Sequence, residues 1–399
     1  MTRRRRIAAL LADDRTILAT YLLLAAGASL QAYFAPHGGP TYATYNNFQI
    51  FRCSFWHLVH GRDLYVLFPG EHADLFKYSP TFALLFAPFA LLPVLPAMLA
   101  WNALNAAVLF LGLSRFPHLG GRARTVGLWM MALEQWGALQ HFQANALIAG
   151  LILLAYGALV RGREVRGSAA ILLCGFIKVF GVVAFPLYAF APRKVRLAAV
   201  TAAVFAALAA LPLIVASPSH LAELYRSWFA LLRADHGISL GYSMMGWLRS
   251  WFGLAPDKLL VVALGAALMA LPFLRWDMAA DPTHRALTVA ALMIWMVIFN
   301  HRAEGPTFVI AMAGVVVWYG AAERSRGDTV LLGLAFVFVS LSPTEVFPRW
   351  FRIGVVQHYA VKAVPCIVIW ARCLSELLLR RAGASDRPAA APGCRAALR

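Results

Sequence analysis

The chain has 399 residues, 61% of them hydrophobic and only 14% charged, against about 25% charged in a typical soluble protein. A soluble fold of this size cannot hide that much apolar surface, and a disordered chain is poor in the residues that dominate here. The formal net charge of +18 reads as topology and not as nucleic-acid binding, because cytoplasmic loops of membrane proteins collect Lys and Arg.

In chain order, Arg3 to Arg6 anchor the N-terminus in the cytoplasm and are too charged to open a cleaved signal peptide. The first apolar run, 17–34, is long enough to cross a bilayer, which takes about 20 residues. A long polar and aromatic loop follows over 36–78. The next run, 79–92, is short and carries Pro80 and Pro88. Further apolar runs recur near 97–114, 125–139, 142–160, 168–178, 180–190, 197–216, 258–275, 285–299, 305–321, 328–344 and 354–375. The stretch 379–399, rich in Ala, Pro and Arg, predicts a disordered cytoplasmic tail after a single transmembrane domain over 1–378.

Segment 79–92 decides the orientation. A full crossing puts the basic loops 115–124 and 161–166 outside, against the positive-inside rule. A re-entrant segment that dips in from outside places 24 of the 36 Lys and Arg inside. The second option predicts an all-α polytopic bundle of about twelve transmembrane helices in a cell membrane (inner or plasma), with both termini cytoplasmic and 36–78 as an extracytoplasmic loop. Five cysteines without a CxxC pair, only Cys53 of them outside, predict no disulfide.

Lys178 interrupts the apolar stretch 168–190. A lysine at mid-helix is costly in a membrane. The basic group Arg193–Arg196 must also return inside, so two half-length helices meeting near Lys178–Gly181 are predicted, lining a water-filled outer cavity. Polar residues gather on the same side: Gln140, His141, Gln143 and Asn145 between two spans, and Asn300-His301-Arg302-Ala303-Glu304 between two more. Such groups at helix ends that face a bundle interior are functional candidates. The aromatic loop 36–78, with Phe48, Phe51, Phe55, His57 and Tyr78, has the composition of a surface that stacks on sugars or meets lipid headgroups, although aromatic belts also anchor helices at an interface. No HExxH or DxD motif, and no glycine-rich nucleotide loop, is present. Neither a metal nor a cofactor is expected.

Several motifs in one order carry a resemblance. Asn47-Phe48, Gly61-Arg62-Asp63-Leu64-Tyr65, Lys77-Tyr78-Ser79-Pro80 through Pro88, Phe142-Gln143-Ala144-Asn145, and Cys174-Gly175-Phe176-Ile177-Lys178 with Pro186 resemble family 87 of the glycosyltransferases. These are GT-C-type multi-spanning enzymes that use polyprenyl-phosphate sugars and include mannosyltransferases. The resemblance implies inverting transfer of a hexose, mannose first, from a polyprenyl-phosphate-sugar donor in the lipid bilayer to a lipid or glycan acceptor on the outer face. It also implies an acidic base in the first outer loop, and here that position falls on Asn47, which cannot accept a proton. Glu304 is the first candidate to replace it, with Asp63, Glu71 and Asp74 behind it. Lys178 and Arg302 are the candidates to hold the donor phosphate, and His301, Gln143, Asn145, Tyr78 and His57 to bind substrate. A transporter or flippase of lipid-linked glycan and a non-catalytic subunit of the same architecture are the alternatives.

Overall fold

The computed structural model describes residues 3–35, 44–234 and 240–380. The regular structure of the described residues is all helical, with no strand. His37 and the tail beyond Arg380 lie outside them.

The chain begins with α1 (Arg3–Ala12) and α2 (Asp14–Phe34). The break between them is a cap: the Asp13 carboxylate accepts from the Thr16 backbone N–H at 2.9 Å. α3 (Asn46–Val59) occupies the first loop. Segment 79–92 becomes two short pieces, α4 (Pro80–Leu85) and α5 (Ala87–Ala90), of six and four residues. At ~1.5 Å per residue neither approaches the ~30 Å of a hydrocarbon core. Then come α6 (Val94–Ser114), α7 (Gly121–Gln140), α8 (Asn145–Val160) and α9 (Glu164–Ile177). α9 ends where predicted, at Lys178, and the chain continues as a 3-10 segment, Val179–Phe190, with Pro186 inside it.

The second half holds α10 (Lys194–Ala210), α11 (Pro218–Ala234), α12 (Met244–Phe252), α13 (Lys258–Ala270), α14 (Pro282–Ile298), α15 (Phe308–Gly320), α16 (Arg326–Ala335), α17 (Arg349–Phe351) and α18 (Ala363–Leu379). Two π segments, Phe336–Leu341 and Arg352–Gln357, interrupt the regular helix around α17. Three helices combine the length and apolarity of a membrane span: α2, α6, and α10 with its 3-10 continuation to Ile214. Several shorter apolar helices accompany them, α8, α14 and the Gly305–Gly320 stretch among them. The protein is an all-helical membrane protein.

Burial sorts the helices. From Phe308 to Trp318 every residue of α15 is buried, and α14 is buried from Ala286 to Ile298 apart from Trp295. α10 buries only Leu197 along its length. α14 and α15 are therefore the axis of the bundle, and α10 is a peripheral helix whose apolar side chains face outward, as suits lipid contact. α6 and α8 pack backbone to backbone, because a Cβ on Gly150 would overlap the Val108 carbonyl. Buried polar pins cross the helices: Tyr21 Oη donates to Leu128 O at 2.7 Å, and Asn102 Nδ2 donates to Ser29 Oγ at 3.0 Å and to Leu139 O at 3.1 Å. Basic loops are closed by ion pairs, Arg124 with Asp14 and Arg193 with Glu164, each at 2.7 Å.

The helices outside the predicted apolar runs include α11 and α12. Leu221, Leu224 and Trp228 are buried on one face of α11, the i, i+3, i+7 spacing of an amphipathic helix. That signal lay inside a stretch too polar to score as a span.

Candidate functional site

The aromatic loop is built inward. Phe48 and Phe51 of α3 are fully buried and Phe55 is 6% exposed. Spacings of three and four residues put them on one face, where Phe48 and Phe51 meet Phe82, Phe86, Trp101 and Phe142 with ring centroids 5.1–6.0 Å apart. The expectation of a sugar-stacking surface is corrected for these three residues: they are the core that docks the loop onto the bundle. His57 lies in the loop's own interior, 4% exposed. Its Nε2 meets Glu71 at 2.8 Å, and its ring lies 3.8 Å from that of Phe68. Burial holds the His57 imidazole below its ordinary pKa, although Glu71 pulls the other way. Asp63 shapes a turn: Oδ1 accepts from the Tyr65 backbone N–H at 2.9 Å, and Oδ2 accepts from Ser227 Oγ of α11 at 3.2 Å. Glu71 is thus committed to His57 and Asp63 to its turn.

A different group of residues meets where α9 stops. Lys178 leaves the helix in an extended conformation, with φ −134° and ψ 127°. A Cβ on Gly181 would overlap the backbone of Cys174, so glycine lets the 3-10 segment fold back onto the last turn of α9. The Lys178 ammonium then reaches Asn145 Oδ1 at 2.9 Å and Gln143 Oε1 at 3.3 Å. Asn145 Nδ2 donates to the same Gln143 oxygen at 2.6 Å. Gln143 Nε2 donates to Glu304 Oε2 at 2.9 Å. The result is a continuous polar line, Lys178 to Asn145 and Gln143 to Glu304, drawn from three segments distant in sequence.

Each member is held by structure. Asn145 opens α8 and is fully buried. Gln143 sits after Phe142, whose φ of +52° places a bulky side chain in the left-handed region. Such strain persists only where surroundings enforce it. Here Trp101 Nε1 donates to the Phe142 carbonyl at 3.0 Å, and the Phe142 ring packs on Phe48. Glu304 is exposed and precedes the 3-10 turn Gly305–Thr307, with its backbone N–H donating to Thr307 Oγ1 at 3.3 Å. Tyr78 closes one side, its ring centroid 5.8 Å from the Lys178 nitrogen. Burial raises the Tyr78 phenol pKa, and the carboxylates of Glu304 and Asp74 act in the same sense. Ser79 fixes that side: its Oγ donates to Phe176 O at 2.6 Å and caps α4 by accepting from the Phe82 N–H at 3.1 Å.

Asn47 borders this line. Its Nδ2 donates to the His141 carbonyl at 2.8 Å, tying the first loop to the turn that carries Gln143. His301 and Arg302 stand in the turn after α14, half-buried, with the Arg302 N–H bonded to Asn300 Oδ1 at 2.9 Å. The structure therefore brings together Lys178, Asn145, Gln143, Glu304 and Tyr78, with Asn47 beside them. It sets Asp63 and His57 apart in the loop. The sequence did not identify Phe142 and Trp101 as supports, because neither a left-handed turn nor a bond across 41 residues leaves a local pattern.

Among the described residues this arrangement offers a cation whose acceptors are neutral amide oxygens, and an exposed carboxylate one amide away. The cation can meet an anion and the carboxylate can take a proton. No curated protein matches the chain. The description of glycosyltransferase family 87 matches residues 76–300, which takes in the Tyr78 edge, the strained turn and the broken helix at Lys178. With more than half its length matched, the chain belongs to glycosyltransferase family 87.

Proposed function

We propose that the protein moves a hexose, with mannose as first candidate, from a polyprenyl-phosphate-sugar donor to a lipid or glycan acceptor at the outer face of a cell membrane, with inversion. The observation that carries this reading is the line from Lys178 through Gln143 and Asn145 to Glu304. In this reading 79–92 is re-entrant, the bundle crosses twelve times and both termini are cytoplasmic.

Lys178 meets the donor phosphate, whose chain stays in the bilayer. Among the described residues its hydrogen-bond acceptors are neutral amide oxygens, so it can transfer to a phosphate without breaking an ion pair. Glu304 takes the proton of the acceptor hydroxyl. The hydroxyl oxygen bonds to the anomeric carbon as the bond from that carbon to the phosphate oxygen breaks. The electron pair leaves with the phosphate, toward Lys178. Gln143 fixes the separation between the two groups, bonded as it is to both. Asn47 orients a sugar hydroxyl beside them, and Tyr78 covers the site. Arg302 is a second cation for the phosphate.

The test is transfer of label from polyprenyl-phosphate-[14C]mannose, and separately -[14C]glucose, into membrane lipid or glycan, by wild type and by Glu304→Gln. Loss of a general base costs about 10²–10⁴ in rate. Unchanged transfer in Glu304→Gln removes Glu304 as base, and absence of transfer from both donors removes the donor class. The topology is checked in the same preparation with single cysteines at Gly70 and Gly120. An impermeant maleimide should label the first in intact cells and leave the second unlabelled.

A further inference from the structure

Glu304 owes its place to a turn, and that turn is held from behind. Lys362, immediately before α18, is 4% exposed. Its Nζ donates to the Gly305 carbonyl at 3.3 Å and lies 5.2 Å from the centroid of the Phe308 ring. Gly305 directly follows Glu304, and Phe308 opens α15. The ammonium therefore grips the turn at the peptide after the carboxylate-bearing residue and at the start of the next helix.

A lysine buried to this degree in an apolar bundle needs a counter-charge. Glu134, in the middle of α7 and 7% exposed, acts on it electrostatically. Glu304 and Lys362 both lie near enough to His141 to act on its charge. Lys362 thus stands directly behind the proposed site, bonded to the peptide that follows Glu304. The mechanism above uses neither Lys362 nor Glu134.

We propose that Lys362 is a positioning residue that sets the Gly305 turn so that Glu304 meets Gln143 and the acceptor. The proposal rests on the reading of Glu304 as base. Removing the grip leaves the Gly305 carbonyl without its donor and frees the turn. Catalytic groups displaced by ~1 Å lose about 10² in rate.

The test uses the full-length protein in lipid nanodiscs, with polyprenyl-phosphate-mannose or -glucose, whichever supports transfer. Lys362→Met is expected to lower kcat by about 10²-fold while the donor KM holds, because Lys178, Gln143 and Asn145 are untouched. Glu134→Gln is expected to shift kcat the same way by a smaller factor, and it serves where Lys362→Met fails to fold. A second readout does not depend on turnover. Glu304→Cys, with Cys53 and Cys394 replaced by serine, is labelled with a water-soluble maleimide, alone and together with Lys362→Met or Glu134→Gln. An altered labelling rate supports the proposal. An unaltered labelling rate overturns it, as does, where Glu304→Gln itself lowers turnover, an unchanged kcat or a rise in KM alone. If Glu304→Gln keeps full turnover while Lys362→Met changes the labelling of the Glu304→Cys protein, the reading of Glu304 as base fails and the positioning of the turn stands.

Discussion

The first-loop cluster and the Lys178 cluster are built on opposite plans. The first loop pairs its charges internally: His57 with Glu71 at 2.8 Å, Arg62 with Glu71 at 3.8 Å, and Asp63 with the Tyr65 N–H and Ser227. Its partners are mostly close in sequence and hold the loop's own shape, while the bond from Ser227 ties the loop to α11. The Lys178 cluster draws on residues more than 30 and more than 150 positions apart, and it sets a cation and a carboxylate at the two ends of one amide. Both clusters contain the residue types that suggest chemistry. Only the second leaves its cation bonded to neutral amide oxygens among the described residues. Composition alone cannot tell a carboxylate that takes protons from one that closes a turn; the identity of its partner can.

The sharpest way to break the comparison is to remove the cation. Lys178→Ala should abolish most transfer, by about 10²–10⁴-fold, the range seen when a fixed group aimed at developing charge or a transferring proton is lost. The protein should remain folded, because the partners left behind are the amides of Gln143 and Asn145, which also bond to each other. Transfer measured beside thermal unfolding checks this. If the variant keeps its rate and loses stability, Lys178 is a structural lysine and the two clusters are alike.

A smaller effect is expected in the loop. Asp63→Asn keeps an oxygen for the Tyr65 N–H and loses part of the bond from Ser227. A bond of that kind is worth about 0.5–1.5 kcal/mol. The expected result is a lower unfolding midpoint with turnover within a few-fold of wild type, on the order of the shift one lost surface bond produces. A fall in turnover as large as that of Lys178→Ala would make Asp63 a catalytic residue and reverse the contrast.

How much of this was written in the sequence depends on distance along the chain. The break at Lys178 was legible because a charge inside an apolar run has few places to go, and α9 ends on it. Gln143, Asn145 and Glu304 stood out for the same reason, as polar groups between apolar runs. Their meeting was not legible, since it depends on the fold bringing together α8, the end of α9 and the turn after α14. The aromatic loop misled in the other direction. Phe48, Phe51 and Phe55 recur at helical spacing, and spacing says that they share a face without saying whether that face meets a sugar or the core. The helices α11 and α12 were missed because a search tuned to long apolar runs passes over amphipathic ones. Lys362 was visible only as a charge inside the last apolar run; its hold on Gly305 spans 57 positions.

The smallest expected effect concerns pH, and it tests whether the loop cluster is structural. Burial holds His57 below its ordinary pKa, against the pull of Glu71, with Arg62 and His72 acting in the same direction as burial. His72, 2% exposed, is lowered by burial as well. In the unfolded chain both imidazoles titrate near 6.5. Between the folded and unfolded values the unfolded chain therefore binds more protons, so stability rises with pH across that window. The contribution is fully present above the ordinary histidine range and is lost as pH falls through the lowered folded values. One proton is worth ~1.4 kcal/mol per pH unit, which in a protein of this size moves the unfolding midpoint by about 2 °C. The measurement is the unfolding midpoint of the full-length protein in detergent from pH 8 down to pH 5, with His57→Gln and His72→Gln beside wild type. Wild type should lose stability on acidification below about pH 6.5, and each variant should show a shallower slope. A wild-type midpoint that instead climbs as the pH falls, with the climb abolished in His57→Gln, would mean that the His57–Glu71 contact gains more from charge than burial removes. The loop cluster would then be an ion pair strengthened by acid, and its distinction from the Lys178 cluster would rest on partner geometry alone.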